Sequence, residues 1–111
     1  MYSVEFIFKP GKYDSEFHFL DNLIQGVAES MEGYLGKESW KSEDGNKVNS
    51  TYYWQDELSI KEFSSHPRHI EAKRQYSKWY DGYHIIISKI QRSYGDNNIE
   101  HITPNERVKN A

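Results

Sequence analysis

His66 and His69 stand three residues apart in the stretch "SSHPRHIEAK". Two imidazoles at that spacing share one side of a helix and could chelate a divalent cation. The nearest upstream acid, Glu62, lies across the "SSHP" break, and no third imidazole follows at a fixed local spacing. Pro67 suits the first turn of a helix and leaves His66 at its edge. The pattern therefore predicts no metal site. It places His66 near a helix cap and His69 one turn further on. His69 is the candidate general base, because an imidazole titrates near working pH and can take the proton of a phenol. A structural hydrogen bond is the competing role for the same side chain.

Rings gather around these imidazoles. Residues 50–83 hold two of the three Trp, five of the nine Tyr and two of the five His, so they mark either a pocket wall or a packed lid. Trp54 at a strand end and Trp79-Tyr80 at a helix end could stack on a flat aromatic ligand. The alternative is that they are core, since buried indoles and phenols also cover sheets. Tyr52 and Tyr53 are adjacent in a strand and face opposite ways, so only one of them can line a given pocket. Arg92 could hold a carboxylate or a phenolate, with a salt bridge to Glu5 or Glu38 as its alternative. Trp40 shares a face with Glu38 and is expected to meet a cross-strand or dimer partner. The charges of "EAKRQ" are a solvated helix face.

Composition narrows the field. The sequence has no Cys, which excludes disulfides, thiolate nucleophiles and Cys-ligated zinc. Net charge is −3 and no Lys/Arg run occurs, which argues against a nucleic-acid footprint. No apolar run approaches the roughly 18 residues of a membrane span. The opening "YSVEFIFKPG" is not a leader, so a cytoplasmic address is the default. A length of 111 residues suits one domain with a modest core. Aromatics make up 15% of the residues against 36% hydrophobic in all, so much of that core must be ring.

The elements that position these residues follow from periodicity. Residues 2–9 alternate as a half-buried strand, with Tyr2, Val4, Phe6 and Phe8 on one face, and Pro10-Gly11 ends it. After an Asp14 or Ser15 cap, Phe17, Leu20, Ile24, Val27 or Ala28, and Met31 form a helical stripe that Gly33 terminates. Residues 34–42 and 47–55 make a hairpin around Asp44-Gly45. Asp56 caps the short helix "ELSIKEF", and a second helix runs from Pro67 to Gly82. Residues 83–94 form the last strand. Ile85, Ile86 and Ile87 fall on both of its faces and predict burial on both. Residues 96–111 read as a loose polar tail after a domain spanning 1–95. The order β-α-β-β-α-β is the ferredoxin-like α+β arrangement, a four-stranded antiparallel sheet with helices on one face. Its other face needs a cover, and a second copy of the chain is the economical one.

The segments "GYLGKESWKSEDG", "YYW" and "HPRHIEAKRQYSKWYDGYHIIISKIQRSYG" resemble the antibiotic-biosynthesis monooxygenase domain family, above all its small stand-alone bacterial members. The likeness spans residues 2–95. It rests on the glycines, the Trp after the second of them, "HP.H..A" and "WY..Y", which fall in order with matching gaps. The resemblance implies dimers whose sheets close into an α/β barrel. It also implies one of several chemistries: oxygenation of aromatics without metal or flavin, haem binding or degradation, or quinol breakdown. Haem-degrading relatives use an Asn on the first strand, a Trp on the short helix and a His on the long one. Ile7 or Phe8, Phe63 and Lys73 stand at those positions, which disfavours haem, with His66 or His69 left to meet iron in a shifted register.

The expected function is a cofactor-independent monooxygenase-like activity on a small aromatic or quinol. His69 is its base, and Trp54, His66, Trp79, Tyr80 and Arg92 contact the substrate. The alternative is a module that captures haem or a hydrophobic metabolite without turnover. A homodimer is expected, with no nucleic-acid or membrane partner.

Overall fold

The computed structural model describes residues 1–107. Four strands, β1 (Tyr2–Pro10), β2 (Tyr34–Lys41), β3 (Val48–Trp54) and β4 (Tyr80–Lys89), form one antiparallel sheet in the order β2-β3-β1-β4. Helices α1 (Ser15–Ser30), α2 (Glu57–Ser64) and α3 (Pro67–Trp79) interrupt them in βαββαβ sequence, with the second helix split in two. This is the ferredoxin-like α+β fold. No helix among the described residues is long and apolar enough to cross a membrane.

Local chemistry sets most of the boundaries. Asp14 caps α1 by accepting from the Phe17 amide at 2.8 Å, and Asp56 caps α2 by accepting from the Ser59 amide at 2.8 Å. The β2–β3 hairpin turns through Gly45 at φ 76°, with the Asp44 carboxylate held by the Asn46 amide at 3.0 Å and the Ser42 hydroxyl at 2.7 Å. Those bonds favour the ionised carboxyl and keep its pKa below the usual range.

One boundary moved. α3 ends at Trp79, three residues before Gly82, and β4 begins at Tyr80. Tertiary contacts override the helical pattern there: the Tyr80 ring packs edge-on against Phe6 at 5.4 Å and Phe8 at 5.1 Å. The Gly11 amide donates to the Trp79 carbonyl at 2.7 Å, and a Cβ at Gly11 would lie 2.7 Å from that oxygen. Only glycine permits this approach.

β1–β3 pairing places Tyr2, Val4, Phe6, Phe8, Val48, Ser50, Tyr52 and Trp54 on the helix-covered face, as the alternation predicts. The core there is built around Trp54, Trp79, Leu20 and Ala28. The reverse face differs from expectation. Its central rows are polar, carrying Ser3, Glu5, Glu38, Asn49, Thr51 and Tyr53. The segment after β4 is not loose, because it folds back over them. The Ile90 amide donates to the Met1 carbonyl at 3.0 Å, and the Glu106 amide donates to the Ser93 carbonyl at 2.9 Å. Gly95 and Asn105 exchange two bonds of 3.1 Å. A Cβ at Gly36 would come within 3.2 Å of Ile102 of this strap, and Gly36 itself sits at φ 137° in a β2 irregularity. Residues 108–111, the end of the expected tail, lie outside the described residues.

The single chain by itself does not bury both faces of β4. Ile85, Ile86 and Ile87 are 44%, 39% and 56% exposed within the single chain. β4 is an edge strand; helix contacts reach its first part, where Tyr80 meets Phe17 of α1 and Tyr83 meets Tyr76 of α3.

Candidate functional site

The interior between sheet and helices is organised by a row of rings. Trp54, at the end of β3, is 1% exposed. Tyr34 of β2 meets it at 5.2 Å and Phe63 of α2 at 5.1 Å. Phe63 then meets His69 of α3 edge-on at 4.9 Å. α2 and α3 are separate helices because of the "SSHP" break, and that break turns His69 back toward Phe63.

The end of this row carries the unusual group. His69 Nδ1 is buried and has no hydrogen-bond partner among the described residues. Burial, then the Lys73 and His66 charges, depress its pKa to about 4. The ring is therefore neutral at physiological pH. A buried polar nitrogen without a partner costs roughly 1–3 kcal/mol, which a ligand carrying a complementary hydroxyl would recover.

His66 serves the backbone. It is the N-cap of α3, its Nδ1 accepting from the Arg68 amide at 3.1 Å. Trp79 is 2% exposed, donates its indole N–H to Asp14 at 3.2 Å and meets Phe17 edge-on at 5.3 Å. Tyr80 packs with Phe6, Phe8 and Tyr13. Burial, with Tyr13, Asp21 and Tyr52 nearby, pushes its phenol pKa up. Tyr52 shares the helix-facing row with Trp54 and is pushed up to about 12 by burial first and Asp21 next.

The structure thus joins Trp54 and His69 through Phe63. It places Trp79 and Tyr80 in a second aromatic group at the start of α1, and puts Arg92 on the reverse face. Among the described residues no group of three or more His, Asp or Glu is arranged to hold a metal ion.

Sequence reasoning missed the reverse-face network. Glu38 Oε1 accepts from the Tyr53 hydroxyl at 2.7 Å and lies 2.8 Å from His101 Nε2. The Tyr53 bond, then those to His101, hold the Glu38 carboxyl below its ordinary range. Burial first, then the same bond, push the Tyr53 phenol up. His101 sits in a polar segment, and nothing in its spacing pairs it with an acid 63 residues away.

No family model matches the chain. The uncharacterized protein YqjZ of Bacillus subtilis is 27% identical over 92 residues, covering 82% of this chain and 80% of its own length. A mutant form of SnoaB, a cofactor-independent oxygenase from Streptomyces nogalater, superposes with a TM-score of 0.67. It is 10% identical, over 83% of this chain and 94% of SnoaB. A candidate antibiotic biosynthesis monooxygenase from Deinococcus radiodurans superposes with a TM-score of 0.62 and 12% identity, over 86% of this chain and 97% of its own.

The chain has an antibiotic-biosynthesis-monooxygenase-like fold. At 10–12% identity, what is shared is the path of the backbone and not the identity of the side chains along it. The chemistry of an antibiotic-biosynthesis-monooxygenase-like fold has to be argued from its own wall residues. Here the row of touching rings is Trp54, Phe63 and His69.

Proposed function

We propose that the chain is a cofactor-independent monooxygenase-like protein that takes a small phenol or quinol between its sheet and helices. The observation that carries this reading is the orphaned Nδ1 of His69 at the end of a ring-lined wall. A phenolic hydroxyl donating to Nδ1 would satisfy the buried nitrogen while Phe63 and Trp54 hold the flat ring. His69 is a weak base in the free protein. A phenolate forming beside it favours the imidazolium and raises its pKa, so proton transfer and anion formation support each other. The resonance-stabilised anion gives its electrons to oxygen and bonds to it at a ring carbon. The His69 imidazolium returns its proton to the resulting peroxide, whose O–O bond breaks with loss of water, which takes the ring-carbon hydrogen, to leave a quinone, in surroundings that exclude bulk water. Trp79 and Tyr80 set the far wall in this reading, and His66 acts indirectly by starting α3.

Oxygen uptake with a panel of hydroquinones tests the proposal. Uptake should fall at least about a hundredfold in His69→Ala. An unchanged rate in that variant removes the base.

A second reading rests on the same neutral imidazole, which is also the form that ligates iron. In that reading the fold captures haem or another hydrophobic metabolite without turnover. A Soret shift on hemin titration that disappears in His69→Ala, together with no oxygen uptake, would favour it.

We further infer that a second copy covers the exposed isoleucines of β4. Ile85 and Ile87 on one face and Ile86 on the other make an apolar edge of the kind that subunits bury. Ile87→Glu should convert a dimer to a monomer in sedimentation velocity. A wild-type chain that sediments as a monomer would exclude the dimer.

A further inference from the structure

An imidazole that serves as a base is commonly steadied by a carboxylate. His69 has none. Among the described residues its ring makes no hydrogen bond, and its Nδ1 is buried. From α2 the ring meets Phe63, with Trp54 of β3 behind, so neither element brings a charge to it. After burial, the charges that act on it are those of Lys73 and His66, and both oppose its protonation.

Lys73 is fixed beside this contact. Its place one turn after His69 puts the two side chains on one stripe of α3. Its Nζ donates to the carbonyl of Ser64 at 3.4 Å, the last residue of α2 and the neighbour of Phe63. The ammonium therefore bridges α3 to the end of α2, where Phe63 and His69 meet at 4.9 Å. No carboxylate lies within ion-pair distance of it among the described residues. Lys73 is exposed and Nδ1 is buried, so one helical turn presents a wet positive charge and a dry acceptor.

Building on the reading of His69 as the acceptor, we propose that the preferred substrate is a phenol bearing a carboxylate away from its reacting hydroxyl. The hydroxyl donates to Nδ1 inside, and the carboxylate stays in water at the rim against Lys73. The ligand keeps its charge hydrated, so the exposed ion pair adds only a few-fold in affinity. Its larger effect is on the base. A carboxylate at Lys73 offsets the positive charge that opposes protonation of His69. The substrate thereby strengthens the base that takes its own proton, which passes from the hydroxyl oxygen to Nδ1. A neutral phenol leaves Lys73 uncompensated and meets a weaker base.

The His69 ring-proton resonance of the full chain, assigned by its absence in His69→Ala, tests the proposal. The probes are 2,5-dihydroxybenzoate, its methyl ester and hydroquinone. The acid should bind at least about threefold tighter than the ester. At saturation it should raise the His69 titration midpoint more than the ester does. Lys73→Met should abolish the preference for the acid and raise the midpoint in the free protein. Lys73→Arg should keep the preference. So should Lys12→Met, which removes the same charge from an exposed loop. Equal affinity for acid and ester, or a preference that survives in Lys73→Met, overturns the proposal and leaves His69 as the base. No shift of the His69 resonance with any of the three probes overturns both readings.

Discussion

His101 Nε2 lies 2.8 Å from Glu38 Oε1, joining the strap to the β2 edge across 63 residues of sequence. This contact, with the Tyr53 hydroxyl on the same carboxylate oxygen, pins the returning segment onto the polar face of the sheet. Glu38 has a depressed folded-state pKa, so its contribution is present above the ordinary glutamate value of about 4.3 and is lost as pH falls through the folded value. Amide hydrogen exchange in residues 93–106 should accelerate in acid relative to the core strands. In Glu38→Gln it should be fast at neutral pH too. Equal protection at both pH values in the wild type would contradict this role.

His69 gives pH dependence of the same sign in a higher range. Its folded-state pKa of about 4 lies below the ordinary histidine value, so the unfolded chain binds the proton more readily. Stability is complete above about pH 6.5 and declines as pH falls toward 4, by roughly 1–2 kcal/mol after allowing for partial solvent contact. His69→Phe should flatten that part of the profile of urea midpoint against pH. It should also match or exceed wild-type stability at neutral pH, because it removes a buried nitrogen without a partner.

His66 separates capping from chemistry. Replacing it with Ala removes the acceptor for the Arg68 amide and should destabilise the chain by about 1 kcal/mol in urea unfolding. His66→Asp restores a capping oxygen and should recover most of the loss. If His66 has no contact with substrate, His66→Asp should also retain oxygen uptake, so a variant that is stable but inactive would assign it a direct part.

Trp54 anchors the ring wall. At 1% exposure between Tyr34 and Phe63, its replacement by Ala should cost roughly 3–5 kcal/mol, measured by thermal or urea unfolding. Trp54→Phe should cost less and leave a smaller void, which tests whether ring volume at this position also shapes ligand affinity.

The helix caps at Asp14 and Asp56, the hairpin at Gly45 and the first helical turn at Pro67 were all legible in the sequence, because each is a local rule acting over a few residues. The alternation of β1 and β3 likewise told which residues share a face. The early start of β4 was not legible, since Tyr80 leaves the helical pattern to pack on Phe6 and Phe8 of a strand some seventy residues upstream. What covers Ile85, Ile86 and Ile87 was not legible either, because an apolar run records hydrophobicity and not strand position in the sheet.

The sequence by itself determined the order of elements, their caps and turns, and the aromatic character of the interior. Tertiary structure alone decided that Trp54, Phe63 and His69 share one wall while Trp79 and Tyr80 belong to another. It also decided that His101 finds Glu38, and that Arg92 faces a polar cleft instead of the aromatic interior. The physical reason is range. Capping, turn chemistry and periodicity act within about one turn of chain, whereas ring packing, desolvation and charge pairing depend on distances through space that only the folded chain sets.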